Sequence, residues 1–356
     1  MGTPPPGLRT RPRSGTVAGP TVGRSGGRTV TTEETHGAPQ IGVLTSGGDA
    51  PGMNAAIRAV VRQSIYLGYR VRGIRRGFAG LFENRVVRLE LSSVADIIKM
   101  GGTILHTART PAMMTEEGLA QAVRALAEHQ IAGLVVIGGD GSLRAAQALH
   151  ERGVRVVGIP ASIDNDIYGT DQAIGFDTAV NIVVEAMDRL RDTASAHERL
   201  FVVEVMGRES GAIALSAGLA GGAEAILIPE APVDYEAIAE RLHRSRARGK
   251  RHSLVVVAEG AGGAAPVADA LRRLTGYEVR VTILGHLQRG GPPSAVDRIL
   301  GGRLGTHAVR ALAEGRSGIM VGMDAGRPVE VPLEQVAAGQ RRPDLELARL
   351  AEVLAI

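Results

Sequence analysis

The sequence contains no cysteine, and only 3% of its 356 residues are aromatic. Without cysteine the chain can form no disulfide framework, thiolate metal site or catalytic thiol. No apolar run approaches the roughly 20 residues of a membrane-spanning helix. The N-terminus also lacks the apolar stretch of a secretory signal. These absences predict a cytoplasmic protein with no membrane partner.

The chain also lacks a concentrated positive charge outside its first residues. Five arginines against two glutamates give residues 1–38 a net charge of +3, so the rest of the chain carries +1 of the total of +4. A protein that reads a phosphate backbone needs a dense basic face. The charge distribution therefore argues against a nucleic-acid partner.

Residues 1–38 are rich in Gly, Pro, Thr and Arg and have almost no periodic apolar positions, which predicts a disordered extension. The remaining length fits two domains of the usual size. Short β-branched runs there alternate with helical patterns, which is typical of mostly parallel sheets covered by helices. The sequence thus predicts two mostly parallel α/β domains. The predicted strand and helix pairs are Ile41–Thr45 with Met53–Leu67, Gly133–Ile137 with Leu143–Glu151, Val154–Ile159 with Phe176–Arg191, and Leu200–Val205 with Ala212–Ala220; Ser253–Ala258 and Arg280–Leu284 are further strands.

Two glycine-rich turns follow predicted strands. Ser46–Gly52 follows the first strand, and Gly138–Ser142 follows the second. Glycine lets main-chain amides approach phosphate oxygens closely, and Asp140 in the second turn can hold Mg²⁺. A plain tight turn is the alternative for either segment alone. Together they favour a phosphate-binding site.

Common nucleotide-binding fingerprints are missing, because neither a P-loop nor the glycine spacing of a dinucleotide fold occurs. A third strand ends in Pro160–Asp166, which places Asp164 and Asp166 two residues apart. One carboxylate can act as a base towards a hydroxyl while the other manages metal charge. Alternatively, both aspartates form a turn in which Asn165 adopts left-handed geometry. The residues alone leave both interpretations open.

These motifs together resemble the bacterial ATP-dependent 6-phosphofructokinases. The resemblance runs from about Ile41 to the Arg341–Pro343 region and includes motifs in both halves of the chain. The GGDG turn alone is less specific, because NAD kinases and diacylglycerol kinases carry similar turns. The matching segments are Ile41–Asn54, Val135–Ser142, Ile163–Asp166, Val202–Arg208 and Leu284–Gly291.

The resemblance implies an ATP-dependent kinase that phosphorylates the 1-hydroxyl of fructose 6-phosphate, the committed step of glycolysis. Asp164 matches the family's general base, Arg208 is a further catalytic residue, and Ser162 stands where threonine is usual. Asp140 would bind Mg²⁺, the cofactor of the ATP reaction. The implied ATP-binding residues are Gly48, Arg109, Gly139, Asp140, Gly141 and Ser142.

The same resemblance implies the fructose 6-phosphate site. Arg199 and Arg280 would come from a neighbouring subunit, and His286 is assigned to binding only. Arginine suits this task because its planar fork can bind two phosphate oxygens. The full implied set is Ser162, Ile163, Asp164, Arg199, Met206, Gly207, Arg208, Glu259, Arg280, His286, Leu287, Gln288 and Arg289.

A homotetramer with an allosteric site for ADP or phosphoenolpyruvate is also implied. One position departs from the family pattern, because Leu91 stands where an arginine is expected. Control by effectors is therefore expected to survive with weakened or altered preference. The implied effector residues are Arg58, Arg62, Arg191, Glu224, Arg248 and Lys250.

The expected organisation assigns residues 39–174 and about 295–330 to an ATP-binding domain and residues 175–294 to a fructose 6-phosphate-binding domain. A C-terminal helical segment spans residues 331–356. One alternative is a pyrophosphate-dependent phosphofructokinase, although such enzymes carry a bulkier acidic residue at the position of Gly141 and a lysine at that of Ala161. The other is a non-catalytic sensor of sugar phosphates or nucleotides.

Overall fold

The computed structural model describes residues 38–354, so the extension expected over residues 1–38 lies outside the described residues except for Ala38. The described strands form two sheets. The larger sheet has the order β11-β10-β5-β4-β1-β2-β3, with antiparallel pairs only at its two edges. Its strands are β1 (Gln40–Ser46), β2 (Arg70–Ile74), β3 (Val86–Leu89), β4 (Ile131–Gly138), β5 (Val156–Pro160), β10 (Ile319–Asp324) and β11 (Arg327–Pro332).

The smaller sheet has the order β7-β8-β6-β9, and all its strand pairs are parallel. Its strands lie together in the sequence between the two portions that build the larger sheet. The chain therefore leaves the larger sheet after β5 and returns to it at β10. The strands are β6 (Leu200–Val205), β7 (Ala225–Leu227), β8 (Ser253–Ala258) and β9 (Val279–Ile283).

Helices connect the parallel strands. Short 3₁₀ turns span Ser92–Val94, Ile97–Lys99, Pro111–Met114, Glu259–Ala261 and Gly285–Arg289. The α-helices are α1 (Met53–Tyr66), α2 (Ala79–Phe82), α3 (Glu116–Glu128), α4 (Asp140–His150), α5 (Phe176–His197), α6 (Ala212–Ala220), α7 (Tyr235–Ala247), α8 (Ala264–Thr275), α9 (Ala295–Ala313), α10 (Leu333–Ala338) and α11 (Glu346–Leu354).

The central strands are apolar on both faces because helices cover both sides of the larger sheet. Strand β1 is buried along its whole length, and β4 is buried from Gly133 to Gly138. On one side, α1 and α9 pack against each other and against the sheet, and Gly301 and Gly305 of α9 leave room for the α1 backbone. This double cover explains why these strands are continuous β-branched runs.

The α/β class with two mostly parallel sheets is confirmed. Each predicted strand and helix pair is present, with bounds that differ by a few residues. The prediction did not include β2, β3, β7, β10 or β11. Strand β11 ends at Pro332, and the final helices α10 and α11 follow it.

Strand register brings three turns to one level. Ser46 at the end of β1 pairs with Gly138 at the end of β4, and Gly138 pairs with Pro160 at the end of β5. Ligands of open α/β sheets bind beyond such carboxyl ends, at the point where the connections after two adjacent strands go to opposite faces of the sheet. The three turns singled out in the sequence therefore open side by side.

A buried carboxylate fastens the chain where it passes between the two sheets. Asp297, in the first turn of α9, accepts hydrogen bonds from the amides of Gly175 (2.8 Å) and Thr178 (2.9 Å) and from the Thr178 hydroxyl (2.5 Å). Burial raises the pKa of Asp297, and these hydrogen bonds oppose that rise. Asp297 thus caps the beginning of α5 from another helix.

Asp297→Ala is expected to lower the free energy of unfolding by about 2–4 kcal/mol, because it leaves buried donors of Gly175 and Thr178 without an acceptor. Asp297→Asn should cost less, since it keeps one acceptor oxygen. Urea denaturation followed by circular dichroism measures both. The control is Asp188→Ala on the exposed face of α5, which should change stability by no more than about 0.5 kcal/mol. Equal effects of Asp297→Ala and the control would contradict the capping role.

Candidate active site

A cleft opens where β1, β4 and β5 end. It has a volume of about 510 Å³ and is lined by all three turns together with arginines from the smaller sheet's side. It brings together many of the residues named in the sequence: Gly48, Arg109, Gly139, Asp140, Gly141, Ser142, Ser162, Asp164, Arg208 and Arg289.

The turn after β1 forms one wall of the cleft. Gly47 has a φ of 86°, a conformation that favours glycine, and its carbonyl accepts a 2.7 Å hydrogen bond from the Thr107 hydroxyl. A Cβ on Gly48 would lie 2.6 Å from Nη1 of Arg289, whose guanidinium donates to the Asp49 carbonyl at 2.9 Å. The absence of a side chain at Gly48 therefore lets an arginine approach the turn.

The turn after β4 leads directly into α4, which begins at Asp140. A Cβ on Gly138 would lie 2.5 Å from the Ser46 carbonyl, so the close pairing of the two turns requires glycine there. The first amides of α4 have no partner within the helix and carry its positive dipole end. Gly141, by contrast, has no atom within 4 Å of a Cβ position and leaves the cleft open.

Asp164, in the turn after β5, is the most enclosed carboxylate of the cleft. Its side chain is only 4% exposed, and Oδ2 lies 3.5 Å from Nε of Arg208. Oδ1 is buried and has no hydrogen-bond partner among residues 38–354. The Ser162 hydroxyl accepts a hydrogen bond from the Asp164 amide and donates one to Asp166, both at 3.2 Å. Asp164 thus has a buried carboxylate oxygen that makes no hydrogen bond within the described residues.

Burial raises the pKa of the Asp164 carboxyl, and the negative charge of Asp166 raises it further. The positive charges of Arg208 and Arg289 oppose this rise, while Glu259 adds a smaller one. A carboxylate with a raised pKa is a stronger base, which suits proton abstraction. Asn165 has a φ of 50°, so the expected left-handed turn geometry is also present.

The turn after β6 supplies Arg208. Oε1 of Glu259 accepts hydrogen bonds from the amides of Gly207 (3.2 Å) and Arg208 (2.7 Å). Gln288 is buried, and its Oε1 accepts from the Met206 amide at 3.2 Å. Arg208 has a φ of 53°, an uncommon conformation for a side chain of this size. Glu259 and Gln288 therefore hold a strained turn in the shape that aims Arg208 at the cleft.

The remaining implied substrate residues lie outside this cleft. Ile163 is fully buried and does not line the cleft. His286 and Leu287 lie in the 3₁₀ turn Gly285–Arg289, where Leu287 is 70% exposed. Arg199 and Arg280 lie at the amino ends of β6 and β9 and both pair with Glu278. These two arginines therefore lie at the end of the smaller sheet that is opposite to the cleft.

The implied effector residues form no single cluster within the described part of the chain. Arg58 and Arg62 lie on α1 beside the larger sheet. Around the smaller sheet, Lys250 pairs with the buried Glu224, whose Oε2 also accepts a hydrogen bond from the Leu254 amide. Arg191, on α5, donates to the carbonyls of Gly221 and Gly222; Arg248 ends α7, and Leu91 is half exposed after β3.

Some cleft residues were missed from the sequence. Phe78, Thr110 and Met114 line the cleft and were not predicted, whereas Asp166, which also lines it, was predicted as one of the two paired carboxylates. The methionine pair at 113–114 reads as core filler, and Met113 is indeed buried, but Met114 is 77% exposed and faces the cleft. The sequence feature that could have indicated Met114 is its position five residues after Arg109, with Pro111 between them. Among residues 38–354 no helix could cross a membrane.

Comparison with known proteins agrees with this geometry. A family model described as phosphofructokinase matches residues 40–312. The chain is 58% identical over 322 residues to ATP-dependent 6-phosphofructokinase 1 of Thermus thermophilus, covering 89% of this chain and 99% of that relative. It is 51% identical over 317 residues to ATP-dependent 6-phosphofructokinase of Brevibacillus brevis, with the same coverage of both chains.

Solved structures show the same fold. Phosphofructokinase from Saccharomyces cerevisiae superposes with a TM-score of 0.80 at 37% identity, covering 84% of this chain. This chain spans only 45% of the yeast chain and 36% of the Pichia pastoris phosphofructokinase chain, for which the TM-score is 0.82. A pyrophosphate-dependent phosphofructokinase from Marinobacter aquaeolei has a TM-score of 0.78 at 23% identity and covers 86% of each chain, a likeness of fold alone.

Glu259→Ala is expected to raise the hydrogen-exchange rates of the Gly207 and Arg208 amides by at least tenfold, because they lose their carboxylate acceptor. Mass spectrometry of peptides that cover residues 200–212 and 136–146 measures the effect; the second peptide should be unchanged. Glu209→Ala, which removes an exposed acid from the same turn, is the control. Unchanged exchange in Glu259→Ala would show that the turn does not depend on Glu259.

Proposed function

The chain belongs to the phosphofructokinase family, and we propose that it catalyses phosphoryl transfer from ATP to the 1-hydroxyl of fructose 6-phosphate in the cleft described above. The enzyme assignment rests on relatives that are more than half identical over nearly their whole length. The product is fructose 1,6-bisphosphate, and the reaction is the committed step of glycolysis. The observation that carries the proposal is the buried Oδ1 of Asp164, which has no hydrogen-bond partner among residues 38–354, in a cleft lined by two glycine-rich turns and three arginines.

Asp164 acts as the general base in this proposal. Its Oδ1 accepts the proton of the sugar 1-hydroxyl as the hydroxyl oxygen attacks the γ-phosphorus of ATP, and the bond from that phosphorus to the β,γ-bridging oxygen breaks to release ADP. The Ser162 hydroxyl accepts a hydrogen bond from the Asp164 amide and donates one to the Asp166 carboxylate. These two bonds fix the position of Asp166 relative to Asp164. Phosphoryl transfer gains mainly from positioning and charge stabilisation, which fits a site with one base and several fixed cations.

Amides and arginines receive the phosphates. The turns at Gly47–Gly48 and Gly139–Ser142, the latter at the N-terminus of α4, present main-chain donors to the polyphosphate. Arg109 lines the same part of the cleft. Arg208 lies beside Asp164, where it stabilises negative charge that develops during transfer. Glu259, Met206, Gly207 and the turn from His286 to Arg289 are proposed to bind the sugar phosphate.

Asp140 is proposed to hold Mg²⁺ with ATP. The cleft offers carboxylate and hydroxyl oxygens, the hard ligands that Mg²⁺ takes, and this ion is commonly held by one or two carboxylates together with substrate phosphates. Asp140 is partly exposed at the cleft and now pairs with Arg144 at 3.1 Å. When bound, Mg²⁺ neutralises charge on the transferring phosphates.

ATP rather than pyrophosphate is the proposed donor. Gly141 leaves open space where pyrophosphate users carry a bulkier acidic residue, and Ala161 supplies no cation where they carry lysine. Relatives at 51–58% identity bear the name ATP-dependent 6-phosphofructokinase. The decisive assay couples product formation to NADH oxidation with fructose 6-phosphate and either ATP or pyrophosphate. Turnover with pyrophosphate and none with ATP would overturn the assignment.

We propose that each active site is completed by a neighbouring subunit in a homotetramer. Arg199 and Arg280 lie at the amino ends of β6 and β9, away from the cleft of their own chain. A second chain would therefore have to supply these arginines to the cleft. Both are held by Glu278, whose pKa is lowered by its hydrogen bond with Arg199 and by the two positive charges. The exposed edge strand β9, with Val281 and Ile283 uncovered, offers a surface for such a contact.

The regulatory and domain assignments also remain proposals. ADP or phosphoenolpyruvate would bind where basic residues of the smaller sheet's side meet those of α1 from another subunit. The half-exposed Leu91 would weaken that site by one charge-assisted contact. We place ATP binding on residues 39–174 and about 295–330 and sugar-phosphate binding on residues 175–294, in the cytoplasm.

Asp164→Asn is expected to lower kcat by about 10²–10⁴-fold, because the amide cannot accept the hydroxyl proton. The KM values for both substrates should change by no more than a few-fold, since the side chain keeps its shape. Steady-state kinetics of the purified variant measures both quantities, with Asp188→Ala as a control for general effects on the fold. A kcat close to that of the wild type would remove Asp164 from the role of base.

Asp166→Asn should move the acid limb of the kcat/KM profile to lower pH. The negative charge of Asp166 raises the pKa of Asp164, so its removal lowers that pKa and keeps the base ionised in more acidic solution. Ionisation of the sugar phosphate is common to both enzymes and cancels in the comparison. Profiles between pH 5 and 9 measure the shift. An acid limb displaced to higher pH would contradict the electrostatic argument.

A further inference from the structure

The segment between α10 and α11 contacts the turn that carries Asp164. Arg341 lies in this segment, about 175 residues away along the chain. Its Nη1 donates a 3.1 Å hydrogen bond to the Asn165 carbonyl, and its main-chain amide donates to the Asp166 carbonyl, also at 3.1 Å. The two acceptors are the carbonyls of the residues that immediately follow Asp164. The C-terminal part of the chain therefore reaches the proposed base through one residue.

The turn has few other supports on this side. Side-chain contacts do little to fix the carboxylate of Asp164. Its Oδ1 has no hydrogen-bond partner among the described residues, and its Oδ2 pairs with the exposed side chain of Arg208. The position of the carboxylate thus depends on the main chain of the turn. That main chain includes Asn165, which is buried and left-handed at a φ of 50°.

The following stretch is anchored to the larger sheet. The Asn165 side chain donates to the Asp171 carbonyl (3.3 Å) and accepts from the Ala173 amide (2.8 Å). Asp171 in turn bonds to the Met323 carbonyl and the Ala325 amide at the end of β10. These contacts hold the Asn165 side chain, and Arg341 holds the main-chain carbonyls of Asn165 and Asp166.

We propose that Arg341 is a positioning residue that fixes the Asn165–Asp166 main chain and thereby aims Asp164 at its substrate. This inference rests on the proposed role of Asp164 as base. A misplacement of about 1 Å in a catalytic group can cost about 100-fold in rate. Loss of the guanidinium therefore affects the chemical step more than it affects substrate binding.

The chemistry of the side chain fits this role. The guanidinium is half-buried, and burial lowers its pKa while the negative charges of Asp171 and Asp344 oppose that effect. Arginine stays charged under such conditions and keeps a planar set of donors. Arg342, the next residue, is exposed and makes no hydrogen bond to the turn among residues 38–354. It is the matched control.

The test compares Arg341→Ala, Arg341→Lys and Arg342→Ala in the full chain. Arg341→Ala is expected to lower kcat by at least tenfold while the KM for ATP and for fructose 6-phosphate changes less than threefold. Arg341→Lys, which keeps a charged donor, should recover most of the loss. Arg342→Ala should equal the wild type. Calorimetric titration with a non-hydrolysable ATP analogue should give full stoichiometry and an unchanged Kd in every variant.

Hydrogen exchange of a peptide that covers residues 161–170 provides a readout independent of the reaction. It should rise in Arg341→Ala and not in Arg342→Ala. A kcat for Arg341→Ala within twofold of the wild type overturns the inference. So does an equal loss in the alanine and lysine variants with reduced ATP stoichiometry, which would indicate a role in folding alone. A wild-type chain that is inactive on fructose 6-phosphate would instead refute the proposed function, while the exchange result would still report on the turn.

Discussion

The site depends on the register of β4 between β1 and β5. Because Ser46, Gly138 and Pro160 pair at one level, three turns of different chemistry open beside one another. Two of them present main-chain amides, and the third presents carboxylates. A shift of two residues in the β4–β5 pairing would displace both glycine-rich turns by about 7 Å relative to Asp164, and the same shift in the β1–β4 pairing would displace the turn after β1 from the other two. This register brings the Ser46 carbonyl close to Gly138. The two strands can pack this closely because Gly138 has no side chain.

The electrostatics of the cleft follow from this convergence. Burial raises the pKa of Asp164, and arginines from the smaller sheet's side limit the rise. Arg208 and Arg289 reach the cleft from turns after β6 and β9, so the base and its counter-charges belong to different sheets. Asp297 fastens the chain near the points where it crosses between those sheets. The balance of charge around Asp164 therefore depends on how firmly these crossings are held.

Much of the larger sheet's centre and of the cleft could be predicted from the sequence. Central strands such as β1 and β4 are continuous apolar runs, and glycines and acids directly after them indicate the site. The edge strands β3 and β11, and β2 next to β3, are only partly buried and mix polar with apolar residues, so they give no comparable signal.

The contributions of Asp297 and Arg341 could not be predicted in the same way. Each depends on a contact far away along the chain, and local periodicity carries no information about such contacts. The structural role of Glu259 could not be predicted from the sequence either. Its carboxylate accepts hydrogen bonds from the amides of Gly207 and Arg208 and so shapes the turn after β6. The resemblance alone assigned Glu259 to the fructose 6-phosphate site.

The most direct test of the account is a crystal structure with fructose 6-phosphate and a non-hydrolysable ATP analogue bound together. The account predicts the sugar's 1-hydroxyl oxygen within about 2.6–3.2 Å of Oδ1 of Asp164, with the γ-phosphate on the opposite side of that oxygen and in contact with the glycine turns. A sugar phosphate bound with its 1-hydroxyl remote from Asp164, or an ATP analogue outside the turns after β1 and β4, would contradict it.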